Sequence, residues 1–467
     1  MSTRTRRSAR HRRRFVLAFV VTVGVLAAIS VGAAAVSLTH GPRVTEVQVD
    51  PEAATRESGS RVIFTADQAL APIDASQVTV EPATEFTVDA AGRTVGVRFP
   101  TALDAGVDYT VHVAGVTGIG AGPDSDLETR FTTPAASMLT LVRDPDGPDQ
   151  IVRHEIGSDD VTAVFAADAI DDFRATSAYL AVTTGDAEQM SLTVVDRASG
   201  ETVEVGVPGD GTLTGLQVSA RGQLYGYTFS DAELTAESGR ANVLFTGSLR
   251  DAFATGETAE PVAVGGEEPS IDRWRFVPET SSLLLNDFSS NLTLLDTVDE
   301  SATTFGQAGG IQGVARSTYT ALIWRVEEGF TELDLSSGEE VPVDDVDLGG
   351  ETILGHMIPL ATGGTLRGYA EMVEGTPADS RIVAAADGSV TDVTTVAAGD
   401  ALQQVCASPS AQYAAVTVAP DIVRNAFDRG AQPLPRVVET RVHDIRTGEL
   451  VVTVPGFASS WCEVGPW

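Results

Sequence analysis

The stretch that decides the fold is CASPSAQYAAVTV, residues 406–418, in which an apolar start, a short polar turn and an apolar strand follow one another. Five earlier segments share this order. Subtracting successive starting positions gives intervals of 45, 58, 38, 44 and 48 residues. Self-similarity at such a spacing indicates a repeat architecture. The five segments are FRATSAYLAV (173–182), VSARGQLYGY (218–227), FVPETSSLLL (276–285), VARSTYTALI (314–323) and IPLATGGTLRGY (358–369).

Three repeats continue into a second pattern, strand–turn–strand, with a polar residue and a glycine at the turn. A glycine there supplies the positive φ that a tight hairpin needs. Repeats of about 40–50 residues with four short strands have the period of β-propeller blades. The pattern therefore predicts an all-β propeller. The three segments are LTVVDRASGETVEV (192–205), TELDLSSGEEVPV (331–343) and RVHDIRTGELVVTV (441–454).

The turn and strand of each repeat resemble those of TolB-type and WD40-like bacterial propellers, and the resemblance covers residues 137–467. Residues 459–467 look like the start of a seventh repeat, and residues 137–165 look like the end of one. Joining them would remove two free sheet edges, which otherwise invite aggregation. We therefore expect seven blades, with a closing blade formed from both segments.

The only two cysteines, Cys406 and Cys462, fall at the same place in adjacent repeats. Exported chains with two thiols commonly pair them. We expect a disulfide. Two buried free thiols acting as small apolar residues remain the alternative.

Residues 43–134 have a different pattern, with seven short alternating runs in about 90 residues. That number of strands is typical of an immunoglobulin-like β-sandwich. Phe64, the segment LDAGVDYTVHV (103–113) and the closing FTT (131–133) resemble the bacterial Ig-like domain of the SbsA type, found in surface proteins. The resemblance implies a spacer or adhesive module in which Tyr109 and Phe131 fill the core.

The N-terminus combines seven arginines in residues 1–14 with an uncharged apolar run, residues 15–38. This run is long enough for a transmembrane helix. The arginines would stay cytoplasmic, which predicts a single-pass cell-membrane protein with the bulk of its chain extracytoplasmic. A cleaved export signal is the alternative, since Ala33 and Ala35 form an A-x-A pattern.

The charge balance excludes several classes of function. The formal net charge is −34 and every Lys+Arg residue is arginine. An acidic surface repels nucleic acid, so we expect no nucleic-acid partner. Without lysine, neither a Schiff base nor a Walker-type phosphate loop can form. The lysine-free, Ala/Val/Gly/Asp-rich composition resembles that of high-GC actinobacteria.

Catalytic motifs are not evident in the sequence, and we expect no cofactor. There is no Gly-x-Ser-x-Gly elbow, and the histidines lack metal-ligand spacing. Two acidic loops are weak calcium candidates, although Asp with Pro and Gly is ordinary turn chemistry. The candidate ligands are Asp144, Asp146 and Asp149 in one loop, and Asp344, Asp345 and Asp347 in the other. Of the four tryptophans, Trp274, Trp324 and Trp461 are expected in the core, and Trp467 at the blade closure.

These observations predict a non-enzymatic, membrane-anchored scaffold whose Ig-like spacer presents a propeller to a protein or a cell-wall glycan. Two alternatives remain. One is a glycan hydrolase or lyase, which would bring two carboxylates and an Arg or His together at the channel mouth with raised pKa values. The other is an envelope-assembly factor.

Overall fold

The structure is a computed structural model that describes residues 17, 19–25, 40–120, 122–186, 189–220, 222–235, 238–316, 318–428, 433–457 and 459–466. It is all-β, as the sequence predicts, and consists of small antiparallel sheets. The chain divides into two compact units. The first contains residues 1–51, 60–100 and 108–132, and the second contains residues 52–59, 101–107 and 133–467.

The second unit contains seven sheets among its described residues, six with four strands and one with three. Every sheet is a meander in which sequential strands pair. Sheet 1 comprises β8 (Ser137–Val142), β9 (Asp149–Glu155) and β10 (Val161–Ala167). Sheet 2 comprises β11 (Ile170–Ala175), β12 (Tyr179–Gly185), β13 (Met190–Asp196) and β14 (Thr202–Val205). Sheet 3 comprises β15 (Gly211–Ser219), β16 (Leu224–Asp231), β17 (Val243–Ser248) and β18 (Glu260–Pro261).

The remaining four sheets repeat the same order. Sheet 4 comprises β19 (Ile271–Phe276), β20 (Leu283–Asp287), β21 (Asn291–Leu295) and β22 (Ala302–Gln307). Sheet 5 comprises β23 (Gly310–Val314), β24 (Thr320–Arg325), β25 (Gly329–Asp334) and β26 (Glu340–Pro342). Sheet 6 comprises β27 (Glu351–Pro359), β28 (Thr365–Val373), β29 (Thr376–Ala386) and β30 (Ser389–Val396). Sheet 7 comprises β31 (Ala401–Ala407), β32 (Tyr413–Ala419), β33 (Glu439–Asp444) and β34 (Leu450–Pro455).

The first strands of sheets 2 to 7 contact one another in chain order, and β11 also contacts β8. The free edge of β8 is covered by the residues that follow β34. We call the described part of them, residues 456–457 and 459–466, the C-terminal segment. Leu141 and Phe457 exchange backbone hydrogen bonds of 2.9 and 3.1 Å, and the Ser460 amide donates to the Leu139 carbonyl at 3.0 Å. The structure therefore has a propeller-type architecture, in which the first strands lie next to one another and sheet 1 gains its missing neighbour from the end of the chain.

The six repeat segments all fall at the turn between the first and second strand of a sheet. The three predicted hairpins are also observed, as β13–β14, β25–β26 and β33–β34. In each one an aspartate accepts hydrogen bonds from backbone amides two and three residues later, and a glycine follows at positive φ. These side-chain bonds satisfy amides that the tight turn leaves unpaired. The aspartates are Asp196, Asp334 and Asp444.

The first unit has seven strands that overlap the seven predicted runs. Four form one sheet in the order β1-β2-β5-β4, and three form another in the order β3-β6-β7. Alternate residues are buried along β2 and β6, as expected for strands with one face on a core. The rings of Tyr109 and Phe131 stack at 5.6 Å. The strands are β1 (Val44–Gln48), β2 (Arg61–Ala66), β3 (Val78–Glu81), β4 (Thr87–Ala91), β5 (Thr94–Arg98), β6 (Asp108–Val116) and β7 (Ser125–Thr132).

Few helices interrupt the sheets. Those beyond residue 40 are α1 (Pro51–Arg56), a short 3₁₀ helix (Ala75–Gln77) and α2 (Leu249–Thr255). Ser248 caps α2 at its N-terminus, and Gly256 ends the helix in the left-handed conformation. Its buried residues, Leu249 and Ala252, join the core of sheets 2 and 3.

The predicted membrane localisation is wrong. Most of the apolar run 15–38 lies outside the described residues. The structure describes only residues 17 and 19–25 of this run, and all of them are helical. Within the described parts of the chain, no helix has both the length and the apolar character needed to cross a bilayer. An apolar composition alone did not establish a spanning helix.

One tryptophan departs from its predicted place. Trp274 and Trp461 are buried, but Trp324 is 39% exposed. It lies in β24 at an outward position, with its ring against Gly309, where an added Cβ would lie 2.4 Å from a ring atom. Trp324 is thus exposed near the end of β24, although Leu322 on the same face of the strand is buried. Trp467 lies outside the described residues.

Candidate functional site

A cleft of about 200 Å³ lies where the first strands of the second unit meet the C-terminal segment. We call it the central cleft. Its lining includes hydroxyl, amide and guanidinium groups from sheets 2, 3 and 5, and the carboxylates of Glu57, Glu279 and, from the C-terminal segment, Glu463. The residues that matter here are Arg174, Gln217, Ser219, Arg316 and Glu463.

Arg174, at the end of β11, is the most deeply buried of these charged groups, with 2% of its surface exposed. Its Nη1 donates to Asp172 Oδ1 at 2.8 Å, and its Nε donates to the Glu463 carbonyl at 3.3 Å. Burial raises the pKa of Asp172 to about 6, against the opposing pull of Arg174. The Arg174 Nη2 and Asp172 Oδ2 atoms are buried without a hydrogen-bond partner among the described residues. Arg174 thus lines the cleft while keeping one buried N–H group unsatisfied by the described residues.

Arg275, in β19, approaches the same C-terminal segment from sheet 4. Its Nε lies 3.7 Å from Glu463 Oε2, too far for a hydrogen bond. This Nε is also buried without a hydrogen-bond partner among the described residues. Burial lowers the pKa of Arg275. The pKa of Glu463 is raised, because burial penalises its charged form more than Arg275 and Arg316 favour it. This ion pair is therefore loose.

The backbone of the C-terminal segment supplies further acceptors. Arg316 Nη2 donates to the Trp461 carbonyl at 3.5 Å, and Gln404 Nε2 donates to the Val464 carbonyl at 2.7 Å. Cys462 forms a disulfide with Cys406 of β31. Side chains from four sheets and one covalent bond therefore hold residues 461–464, which we call the tail, beside the central cleft.

The local charge of this region is opposite to that of the chain. The charged residues that line the cleft are four arginines (Arg56, Arg174, Arg197 and Arg316) and three glutamates (Glu57, Glu279 and Glu463), so their formal charges sum to +1 in a protein of formal net charge −34. Charge at a partly desolvated concave site acts more strongly than the same charge in water. The cleft therefore favours an anionic group.

Two carboxylates with raised pKa values do lie near arginines here, but they do not share a surface. Glu463 lines the cleft, with its side chain 34% exposed. Asp172 is sealed, with its side chain 3% exposed, and does not line it. Glycoside hydrolysis by a carboxylate pair needs both groups to reach the substrate. Asp172 and Glu463 therefore do not form such a pair in the cleft.

The weak calcium candidates act as turn residues. Asp149 accepts backbone hydrogen bonds from Asp144 and Ile170, both at 2.9 Å. Asp144 accepts from the Asp146 amide at 2.9 Å. In the second loop, Asp347 accepts from the Gly349 amide at 2.9 Å. Across the residues that the structure describes, no cluster of three or more His, Cys, Asp or Glu side chains could hold a metal ion.

Sequence reasoning did not find the central cleft. Arg174 and Arg316 lie within two of the repeat segments, so position in the repeat could have marked them. No sequence pattern indicated that Glu463 would face Arg275, because that contact joins residues 188 positions apart, by subtraction of their numbers.

Comparisons with known proteins give fold-level likeness. No family model matches the chain, and no curated protein matches it. Among solved structures, a protein of unknown function from Bacteroides thetaiotaomicron VPI-5482 is 11% identical, with a TM-score of 0.38, covering 82% of this chain and 96% of that one.

The β-propeller domain of Cps50 (Swd1) from Myceliophteria thermophila is 12% identical, with a TM-score of 0.40, and the match covers 62% of this chain and 87% of that one. The dihydro-heme d1 dehydrogenase NirN is 13% identical, with a TM-score of 0.42, and covers 68% and 73%. Structural likeness at this level gives no information on ligand or activity, so the functional reasoning depends on the cleft itself.

Proposed function

We propose that this protein is a non-enzymatic binding protein that recognises an anionic glycan through the central cleft. The observation that carries the proposal is the group of desolvated arginines at the centre of an otherwise strongly acidic chain. Arginines bind carboxylates through paired hydrogen bonds, and the hydroxyl and amide groups of Ser219 and Gln217 suit a polyhydroxyl ligand.

The size of the cleft limits what enters it. Sites for drug-sized ligands are typically about 300–1,000 Å³, whereas this cleft is about 200 Å³. It therefore suits one charged sugar unit of a longer chain. We also propose that the seven sheets form a closed seven-bladed propeller and that the first unit is an Ig-like spacer. Both parts would then serve as a scaffold for the central cleft.

A calorimetric titration with trigalacturonate, and with neutral trigalactose for comparison, tests this function. We expect the acidic sugar to bind and the neutral one not to bind. Arg316→Ala should weaken binding by at least about tenfold, since truncating one partner of a charged contact is costly. The matched control is Arg424→Ala, because that side chain is 85% exposed.

Two results would contradict the proposal. Equal binding of both sugars, or none of either, would exclude an anion-selective cleft. New reducing ends after prolonged incubation with trigalacturonate would instead favour the glycan hydrolase or lyase.

A further inference from the structure

The tail places a carboxylate of the protein's own, Glu463, in the lining of the central cleft and also in that of a neighbouring cavity lined by Arg275. Glu463 Oε2 faces Arg275 Nε at 3.7 Å, and an added Cβ on Gly313 of β23 would lie 3.6 Å from the same oxygen. The carboxylate therefore lies within van der Waals reach of the first strand of sheet 5. The contact joins groups from sheets 4 and 5 and the C-terminal segment.

The pairing leaves both partners incompletely satisfied. Arg275 donates from Nη1 to the Trp274 carbonyl at 2.7 Å, but its Nε makes no hydrogen bond within the described residues. Arg174 likewise has a buried, unbonded Nη2. A carboxylate that approached Arg275 Nε at hydrogen-bond distance would be bound better than Glu463 is. A ligand with such a group can therefore displace it.

We infer that Glu463 is an intramolecular competitor for the central cleft, occupying the position that the carboxylate of the anionic ligand takes on binding. The inference rests on the proposed function. It adds that the carboxylate of the ligand is the group bound in the cleft and that Glu463 regulates this binding. Tethering makes the competition effective, because the Cys406–Cys462 disulfide fixes the residue next to Glu463. A site that is free for only a tenth of the time shows an apparent affinity tenfold weaker than its intrinsic value.

The test compares trigalacturonate binding to wild type, Glu463→Gln and Glu463→Asp by titration calorimetry. Glutamine keeps the shape and removes the charge, so we expect roughly tenfold tighter binding. Aspartate keeps the charge but is one methylene shorter, which withdraws the carboxylate from Arg275. Direct competition therefore expects tighter binding for Glu463→Asp as well, whereas simple charge repulsion expects wild-type affinity. Glu449→Gln, an exposed substitution, is the control.

The outcomes separate this inference from the proposed function. If wild type binds, Arg316→Ala weakens binding and neither Glu463 variant tightens it, the inference is overturned and the function stands. Tighter binding by Glu463→Gln alone also overturns it, in favour of repulsion. If neither wild type nor the Glu463 variants bind, both proposals fail. Inorganic phosphate as a second probe shows whether the site prefers carboxylates: equal tightening for phosphate would overturn the carboxylate assignment.

Discussion

Asp172 shows at the residue scale how burial decides the charge of a side chain. It lies 2.8 Å from Arg174 Nη1, yet burial raises its pKa to about 6. An opposite charge alone would lower that pKa. Desolvation prevails because the aspartate is almost completely enclosed, with one oxygen unbonded.

The raised pKa gives Asp172 a defined effect on stability. The folded protein binds more protons than the unfolded chain between pH 3.8, the ordinary pKa of an aspartate, and about pH 6. The stability contributed by this group is therefore present below about pH 4 and is lost as the pH rises through 6. Asp172→Asn removes the titration, and we expect it to remove a pH-dependent loss on the order of 3 kcal/mol.

Urea unfolding at several pH values between 4 and 7 measures this difference. The variant should gain stability relative to wild type as the pH rises. Asp272→Asn, an exposed substitution in β19, is the control and should change little. A constant offset between wild type and Asp172→Asn at every pH would show that the aspartate does not titrate in this window.

The turn residues show which part of the residue scale could be predicted from sequence. Asp334 and its equivalents accept bonds from amides two and three residues away, so a local pattern contains the whole interaction. These backbone and serine hydrogen bonds also lower the pKa of Asp334 to about 2. Arg275 and Glu463 meet only in the folded chain, so local patterns could not reveal that contact.

At the element scale, the C-terminal segment acts as the neighbour that β8 lacks. Phe457 pairs with Leu141 through two backbone hydrogen bonds. Its ring packs in the core with Leu139 and Phe173, and the Arg143 guanidinium lies 5.0 Å from the ring centroid. One residue thus connects sheets 1 and 2 with the C-terminal segment.

Phe457→Ala should therefore destabilise the protein strongly. Phe457 is 3% exposed, and truncating a buried phenylalanine costs about 3–5 kcal/mol. Phe288→Ala is the matched control, because Phe288 is 61% exposed and surface substitutions change stability by less than about 0.5 kcal/mol. Chemical unfolding compares the two variants. Equal, small effects would mean that this segment does not stabilise the fold.

Prediction from sequence succeeded for the elements with repeated local chemistry. The six repeat segments and three hairpins were located because each carries its own turn residues. The predicted single-pass membrane localisation was wrong, since apolar length is a necessary condition for a spanning helix and not a sufficient one. Trp324 was misplaced because a position in a buried strand does not fix exposure near its end: Leu322, on the same face of β24, is 1% exposed, whereas Trp324 is 39% exposed.

At the scale of the whole molecule, the charge of the central cleft is opposite in sign to the net charge of the chain. The chain carries a formal net charge of −34, yet the groups at its central cleft sum to a small positive value. Buried ion pairs are often no more stabilising than well-packed apolar residues of similar volume. The central claim is therefore that the arginines at the central cleft serve ligand binding rather than stability.

Thermal unfolding with and without trigalacturonate tests that claim most directly. The measurement compares the single variant Glu463→Gln with a double variant that also carries Arg275→Met. Methionine replaces the guanidinium with apolar volume. The double variant should unfold at a temperature no lower than that of Glu463→Gln and should show no stabilisation by the sugar, whereas Glu463→Gln should be stabilised. A lower unfolding temperature in the double variant, with the sugar's stabilisation intact, would contradict the claim and make Arg275 a structural residue.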